Sequence, residues 1–280
     1  MKNRICMVTG ATNGIGRATA EGLARLGATV VVVGRNRGKV EATVAALRQT
    51  TGNSSVEMMV ADFVSMEQVR RLAQQFRSRY DRLHVLVNNA GLWVTERGVS
   101  KEGYELTFAV NHLAAFLLTN LLLDAMKAST PARIVNVSSR AHFRGRIDFA
   151  DLQSENHYSG WACYANSKLA NVLFTSELAS RLRGTAVTAN SLHPGVVATG
   201  LFDGQKGVFG LLLTLAKPFF ITSEQGARTC IYLAASPEVE GVSGRYFVNC
   251  REAPTSPAAQ DEQTAKRLWQ VSERLTGLTT

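Results

Sequence analysis

The chain contains few cysteines and no segment of low complexity. Its four cysteines (6, 163, 230 and 250) are scattered without a C-x-x-C pair, which argues against a disulfide framework and a zinc site and fits a reducing cytoplasm. The five histidines show no paired metal-ligand spacing. We find neither a signal region nor an apolar run of membrane-spanning length. The sequence therefore predicts a soluble, cytoplasmic protein without a metal or a transmembrane segment.

Acidic residues are also outnumbered, 22 against 31 basic ones, so the formal net charge is +9. The basic residues are spread along the chain rather than gathered in a block with aromatics, so we expect no nucleic-acid partner. The 280 residues are 45% hydrophobic, which suffices for one large core. No linker or internal repeat divides them, and we expect a single domain over residues 1–280.

Apolar strands alternate with helical patterns along the whole chain. This order predicts an α/β fold, a Rossmann-type doubly wound parallel sheet of about seven strands with helices on both faces. The strands are expected near 4–9, 29–34, 56–60, 83–88, 133–138, 185–192 and 244–248. The helices are expected near 14–27, 37–51, 65–80, 103–127, 162–183, 223–235 and 261–276.

A glycine-rich turn follows the first strand, with glycines at 10, 14 and 16 before an Ala-rich helical pattern. Glycines let the backbone approach a ligand, and the free amides of the first helical turn face negative charge. This order of strand, turn and helix indicates a pyrophosphate site. A glycine turn alone is also typical of an ordinary tight turn before a helix.

Tyr164 and Lys168 are four residues apart in the segment WACYANSKLAN. In a helix, residues at this spacing share a face. A nearby ammonium group is expected to lower the pKa of the phenol, ordinarily about 10, and so to suit it for proton transfer. The pair alone is a weak signal, because many solvated helices carry it.

Four further motifs accompany this pair: Asn88-Asn-Ala-Gly91, Asn111 in an apolar helix, Val135-Asn-Val-Ser-Ser139, and His193-Pro-Gly-Val-Val-Ala-Thr199. With them the chain resembles the short-chain dehydrogenase/reductase family over nearly its whole length. Within that family it is most similar to the retinol dehydrogenase-like branch. The segments that carry this second resemblance are GRIDFADLQSE, SKLANVLFTSELASRL and AKRLWQVSERLTGL.

The resemblance implies a catalytic role for four residues. Tyr164 would be the general acid for carbonyl reduction or the base for alcohol oxidation. Lys168 would lower its pKa and bind the nicotinamide ribose, and Ser139 would hold the substrate oxygen. Asn111 would hold a water behind the lysine, or only bond to helix backbone. Ser138 is expected to be structural, because neighbouring side chains in a strand point to opposite faces.

The resemblance also implies a set of cofactor contacts. Asp62 would reach adenine, Tyr164 and Lys168 would contribute at the nicotinamide, and Arg35 stands where an NAD-binding relative would carry a carboxylate. Because a guanidinium pairs with a 2′-phosphate, we predict NADP(H) rather than NAD(H). The remaining predicted contacts are Gly10, Thr12, Asn13, Gly14, Ile15, Gly16, Asn88, Ala90, Gly91, Val197 and Thr199.

Two segments are expected to choose the substrate. An insertion from His142 to Trp161 would fold beside the site, and an apolar segment at about 200–222 would form a lid or dip into a membrane surface. The apolar helix after Tyr164 is expected either to belong to the core or to pair in a homo-oligomer, a dimer or tetramer.

These observations predict an NADP(H)-dependent oxidoreductase that interconverts a hydrophobic carbonyl, such as an aldehyde, ketone, retinoid-like or lipid-derived molecule, and its alcohol. One alternative is a non-catalytic dinucleotide sensor or scaffold, which usually lacks one of the four catalytic residues. Another is a reductase of a conjugated carbon–carbon double bond.

Overall fold

The computed structural model describes residues 1–196 and 221–278, and its centre is one sheet. The strand order is β3-β2-β1-β4-β5-β6-β7-β8. The first seven strands are parallel and β8 pairs antiparallel with β7. The seven predicted strands are confirmed, whereas the two-residue, exposed β8 is too short to leave a pattern in the sequence. The strands are β1 (Ile5–Thr9), β2 (Thr29–Gly34), β3 (Val56–Val60), β4 (Val85–Asn88), β5 (Ala132–Val137), β6 (Val187–His193), β7 (Tyr246–Val248) and β8 (Arg251–Glu252).

The helices agree with the prediction to within a few residues, and two match it at both ends. In one of these, α2, Asn36 caps the start and Gly52, with a φ of 68°, ends the helix. The predicted helix 103–127 differs, because Glu105 caps a later start and residues Ala109–Leu113 form a π-helical turn. The helices are α1 (Gly14–Arg25), α2 (Arg37–Thr51), α3 (Met66–Arg79), α4 (Leu106–Phe108), α5 (Ala114–Lys127), α6 (Gly160–Arg181), α7 (Ser223–Ala235) and α8 (Glu262–Thr276).

Helices cover both faces of the sheet, and the side chains alternate between the two cores. Along β1, Cys6 and Val8 pack against α1, α2 and α7, whereas Met7 packs against α3, α5, α6 and α8. Buried apolar residues on both faces are what parallel strands require. All four cysteines are free. In the described ranges, 1–196 and 221–278, no cluster of metal-ligating side chains is found.

Two apolar helices are buried inside this chain. The stretch Leu106–Lys127 is long and apolar enough to span a membrane, so the expectation of no such run is wrong for this stretch. The fold buries 78% of its most apolar window, as in a core helix. Helix α6 likewise buries Leu169, Leu173 and Leu178 within the chain. These side chains therefore belong to the core, and pairing of this helix in a homo-oligomer stays a prediction.

Candidate active site and dinucleotide cleft

A cleft of about 1370 Å³ runs along the carboxyl ends of β1, β2, β4, β5 and β6. Strands β1 and β4 are neighbours in the sheet although their connections lie on opposite faces, which is the switch point where open α/β sheets bind ligands. A pocket for one drug-sized ligand measures about 300–1,000 Å³. The cleft is therefore large enough for an extended ligand and a second molecule beside it.

The start of α1 forms one wall of the cleft and differs from the other helix starts. Its N-cap, Asn13, makes no side-chain cap bond, and the first turn carries no acidic residue. The other helices that the structure shows beginning from a loop are all capped by a side chain: Asn36, Ser65, Glu105, Ser159, Thr222 and Asp261. The first-turn amides of α1 consequently remain available to an anionic group, such as a pyrophosphate.

The loop after β1 fits closely against the loop after β4. Gly10 has a φ of +63°, and a Cβ there would lie 2.8 Å from the Cα of Ala90. A Cβ on Gly16 would overlap the Gly10 carbonyl and the Asn89 amide. Both positions therefore require glycine, because protein backbone approaches them closely. Thr12, Gly14 and Ile15 of the same loop line the cleft.

Thr9 joins these two loops and was missed by the sequence prediction. Its hydroxyl donates to the Val87 carbonyl at 3.2 Å and accepts from the backbone N–H groups of Asn89 and Ala90, both at 3.0 Å. The Asn89 side chain donates to the Thr9 and Gly10 carbonyls at 2.8 and 3.2 Å. The position of Thr9, directly before the glycine turn, was the available signal.

Asn88 was predicted to line the cleft, but its side chain is buried below it. The Asn88 amide donates to Thr119 Oγ1 at 2.9 Å and to Asn136 Oδ1 at 2.8 Å. Asn89 instead lines the cleft, with Ala90 and Gly91. The physical reason is the alternation of side chains at the end of a strand.

Basic side chains border the cleft where β2 ends. Arg35 and Lys39 line it, and both are exposed. Arg37 is paired with Glu41 at 3.5 Å on the solvent side of α2, as expected of an ordinary helix start. Asp62 also lines the cleft and accepts a bond from the Val64 amide at 3.2 Å, while Ser65 caps α3.

Tyr164, Lys168 and Ser139 meet at the middle of the cleft. The Lys168 ammonium lies 5.5 Å from the centre of the Tyr164 ring and donates to the Val137 carbonyl at 3.1 Å. Ser139 is extended, with its hydroxyl oxygen accepting from the Ala141 amide at 3.2 Å. Ser138 is buried, as expected, and donates to the Lys168 carbonyl at 2.7 Å.

Burial controls the protonation of this group. It raises the pKa of Tyr164 to about 12, against which a hydrogen bond with the Ser139 side chain lowers it in part. Burial also lowers the pKa of Lys168 to about 8. Desolvation is therefore the dominant effect on the phenol pKa, and the lowering that we expect from the Lys168 ammonium stays a prediction. A phenol with this pKa is neutral at pH 7, so its hydroxyl carries a proton.

Asn111 lies behind the cleft, in the π-helical turn, and its side chain makes three hydrogen bonds. Its amide donates to the Leu92 carbonyl and to Ser167 Oγ, both at 2.9 Å, and its oxygen accepts from the Leu92 amide at 2.8 Å. A Cβ on Gly91 would lie 3.2 Å from this oxygen and 3.6 Å from the Lys168 nitrogen. Asn111 thus ties the loop after β4 to helix α6, next to Lys168.

An aromatic wall borders Tyr164 on the side away from Arg35. The ring centres of Trp93 and Trp161 lie 6.3 and 6.0 Å from that of Tyr164 and 6.2 Å from each other. Trp161 comes from the predicted insertion, whereas Trp93 was missed. Phe149, also from the insertion, packs under the Arg267 guanidinium instead. Val197, Thr199 and most of the predicted lid lie outside the described residues.

These observations fit a dinucleotide whose pyrophosphate lies at α1 and whose adenosine lies toward β2. The chain matches the family described as short chain dehydrogenase over residues 4–206. It is 45% identical to retinol dehydrogenase 14 of Homo sapiens over 299 residues, covering 99% of this chain and 88% of that protein.

Solved structures share the fold. An uncharacterized protein from Mycobacterium Paratuberculosis superposes with a TM-score of 0.80 at 34% identity, covering 99% of this chain and 94% of that one. A short chain dehydrogenase from Escherichia coli CFT073, complexed with NADPH, superposes with a TM-score of 0.71 at 25% identity, covering 90% and 98%. This chain belongs to the short-chain dehydrogenase/reductase family and is a nicotinamide dinucleotide-dependent oxidoreductase.

Proposed function

We propose that the protein uses NADP(H) to interconvert a hydrophobic carbonyl compound and its alcohol. The observation that carries this proposal is the position of Tyr164, Ser139 and Lys168 in one cleft, between a dinucleotide-binding end and an aromatic wall. When bound, the nicotinamide supplies or accepts the hydride. The side chains of this protein supply position and the proton.

Tyr164 is the proposed general acid in the direction of reduction. Its neutral phenol, with a pKa raised by burial to about 12, donates its proton to the oxygen that develops negative charge. An alkoxide is a stronger base than a phenolate, so this transfer is favourable. Ser139 donates a second hydrogen bond to the same oxygen. In the direction of oxidation, the same two groups act in reverse.

Lys168 has two proposed tasks, at the cofactor ribose and beside the phenol. Its ammonium, 5.5 Å from the Tyr164 ring centre, stabilises the phenolate that remains after proton donation. Asn111 fixes the loop that passes Lys168, through its paired bonds to Leu92, and in this proposal also keeps a water there for reprotonation.

The proposed preference for NADP(H) rests on charge at the end of β2. Arg35 and Lys39 line the cleft there, and in the described part of the chain neither makes an ion pair. A guanidinium and an ammonium both favour a 2′-phosphate, which an acidic residue would repel. We propose further cofactor contacts from Asp62 to adenine and from Val197 and Thr199 to the nicotinamide amide.

The proposed substrate is apolar around its reacting carbonyl. Trp93 and Trp161 form one wall, and Leu106, Val110 and Val196 add aliphatic surface to the same end of the cleft. Apolar walls with a few convergent polar groups are typical of small-molecule sites. Relatives named retinol dehydrogenases make a retinoid or another long-chain aldehyde the first substrates to try. The apolar segment at 200–222 is the proposed lid.

Binding and turnover test this proposal together. Fluorescence titration is expected to give tighter binding of NADPH than of NADH. The NADPH-loaded protein should then reduce retinal, decanal or a hydrophobic ketone to an alcohol, identified by chromatography. Tight binding without turnover of any of them would favour the sensor alternative. A product that retains its carbonyl would favour reduction of a carbon–carbon double bond.

A further inference from the structure

The peptide bond between Ser139 and Arg140 is held at both of its polar ends by histidine side chains. The Ser139 carbonyl accepts from His142 Nδ1 at 2.7 Å and from the His142 backbone N–H at 3.1 Å. The Arg140 N–H donates to His193 Nδ1 at 3.3 Å. One peptide plane next to the serine of the site is thus fixed by two rings from different parts of the chain.

The partners of the two rings decide where each ring carries its proton. A carbonyl only accepts, so His142 must carry its proton on Nδ1. The Ser256 N–H only donates, at 3.2 Å, so His142 Nε2 must be bare. His193 accepts at Nδ1 and therefore carries its proton on Nε2. Both rings are neutral and they are opposite tautomers.

The surroundings of both rings favour the neutral form. His142 is 0% exposed and His193 is buried at the end of β6. Burial lowers the pKa of His142, and burial together with the Arg140 charge lowers that of His193 to about 4. A protonated ring would present a hydrogen where it now accepts one, at Ser256 for His142 and at Arg140 for His193.

Fixing this peptide plane has a direct consequence for the Ser139 hydroxyl. A peptide unit is rigid, so the direction of its carbonyl sets the ψ of Ser139 and the φ of Arg140. Ser139 is extended, with φ of −161° and ψ of 158°, and its Cβ direction follows from that backbone. A rotated peptide would carry the hydroxyl away from Tyr164.

Packing alone does not explain an imidazole at 142. The ring lies 4.8 Å from the Tyr246 ring and 4.3 Å from the Phe143 ring, centre to centre, and a phenyl group would make the same contacts. Only the two nitrogens distinguish histidine there, and both are used. They connect Ser139 with Ser256, which lies ahead of α8 and 114 positions from His142.

We propose that His142 and His193 are positioning residues, which act as neutral rings of opposite tautomer through the Ser139–Arg140 peptide to keep the Ser139 hydroxyl beside Tyr164. The expected effect of the two rings on turnover rests on the proposed reaction, whereas their tautomers can be measured without any reaction. Two measurements therefore separate the failure of one from the failure of the other.

The first measurement is the ¹⁵N spectrum of the full-length chain labelled on its histidine rings, at pH 7 and without substrate. The variants His142→Asn and His193→Asn assign the two signals. The expected pattern is a neutral ring protonated on Nδ1 for His142 and a neutral ring protonated on Nε2 for His193. An imidazolium at either position, or the reverse tautomer, would overturn the inference.

The second measurement compares His142→Asn with His142→Gln. The Asn amide is attached to Cγ, as Nδ1 is, and keeps a donor for Ser139; the Gln amide extends toward Ser256 and loses that donor. With NADPH and retinal or decanal, we expect His142→Gln to lower kcat about tenfold or more and His142→Asn to change it less than about threefold. The KM for NADPH should stay unchanged in both.

A merely structural role predicts another outcome. Each variant removes one buried hydrogen bond, so kcat would then fall equally in both, or in proportion to the melting temperature, and either result would overturn the inference. His142→Phe, which keeps the ring and loses both bonds, is expected to behave like His142→Gln. If the wild-type protein reduces neither aldehyde, the proposed reaction is wrong, and the ¹⁵N measurement of the two rings alone tests this inference.

Discussion

The two ends of the cleft are built in different ways. At the dinucleotide end, each binding loop directly follows its own strand, and backbone amides and glycines such as Gly10 form the surface. At the substrate end, histidine side chains accept hydrogen bonds from distant backbone: His193 from the Arg140 N–H over 53 positions, and His142 from the Ser256 N–H over 114. The surface of the first end is formed mainly by backbone, with its two loops joined by Thr9 and Asn89 over 80 positions, whereas the second end depends on histidine side chains.

This difference has consequences for robustness. Backbone amides at a helix start hold an anion whatever the side chains are, so the dinucleotide end should tolerate exposed substitutions apart from those at Arg35 and Lys39. The substrate end depends on hydrogen bonds with fixed donors and acceptors, and one wrong tautomer disturbs it. Substitutions at the two ends should therefore separate binding of the cofactor from turnover.

Apart from the loss expected at Tyr164, the largest effect among substitutions in the cleft is expected at Lys168, where the two ends meet. Lys168→Met should lower kcat by about a hundredfold or more because the phenolate loses its stabilising charge. The same change should raise the free energy of unfolding at pH 7, by about 2 kcal/mol, because it removes a desolvated ammonium group. Denaturant unfolding and steady-state kinetics measure both; a destabilised variant would contradict this account of the buried lysine.

The pH dependence of stability follows from the same group. The pKa of Lys168 is about 8 in the folded protein, below its ordinary 10.5, so the unfolded chain holds the proton more tightly. The contribution of Lys168 to stability should therefore rise with pH between about 8 and about 10.5. Urea unfolding of wild type and of Lys168→Met across this pH range isolates the contribution of Lys168. A difference in unfolding free energy that does not change with pH would refute the prediction.

Thr9 tests whether the dinucleotide end also depends on a buried side chain. Thr9→Val keeps the shape but leaves the Asn89 and Ala90 amides without their acceptor, so the free energy of unfolding should fall by about 2 kcal/mol. Thr9→Ser keeps the hydroxyl and should stay within about 1 kcal/mol of wild type. Urea denaturation compares them, and equal loss in both variants would show that packing, not the hydroxyl, matters.

Arg35 and Arg37 form a matched pair at the start of α2. Arg35→Ala should weaken NADPH binding about tenfold, because a charge-assisted bond to the 2′-phosphate is lost, and should leave NADH nearly unchanged. Arg37→Ala, which removes only the exposed pair with Glu41, should change neither. Fluorescence titrations with both dinucleotides decide this, and an equal loss for NADPH and NADH would refute the 2′-phosphate assignment.

The smallest effect is expected at the aromatic wall. Trp161 and Phe143 are 49% and 48% exposed, but only Trp161 lines the cleft. Trp161→Ala should raise the KM for decanal about fivefold through lost apolar contact, while Phe143→Ala should leave it unchanged. Neither should alter the Kd of NADPH. Equal effects of the two substitutions would show that Trp161 does not contact substrate.

The sequence predicted the dinucleotide end of the cleft better than the substrate end. Strand and helix positions followed from apolar periodicity. Tyr164 and Lys168 were brought together by helix geometry alone. Neighbouring side chains at the end of a strand point to opposite sides, which correctly predicted that Ser138 is structural and Ser139 faces the cleft. Applied to β4, the same rule would have placed Asn89 rather than Asn88 in the cleft.

What the sequence did not predict depends on contacts between distant segments. Trp93 lies beside Trp161 because α6 brings the two rings together. The hydrogen bond from the Ser256 N–H to His142 requires the chain before α8 to return to the sheet. The raised pKa of Tyr164 results from burial, which no local pattern contains. Side-chain environment, rather than element position, therefore limited the prediction.

The central claim, that Tyr164 supplies the proton for carbonyl reduction, is tested most directly by one substitution. Tyr164→Phe keeps the ring beside Trp93 and Trp161 and removes only the hydroxyl. We expect NADPH to bind within about twofold of wild type and the turnover of retinal or decanal to fall about a thousandfold or more. Turnover within tenfold of wild type, with NADPH bound normally, would contradict the claim.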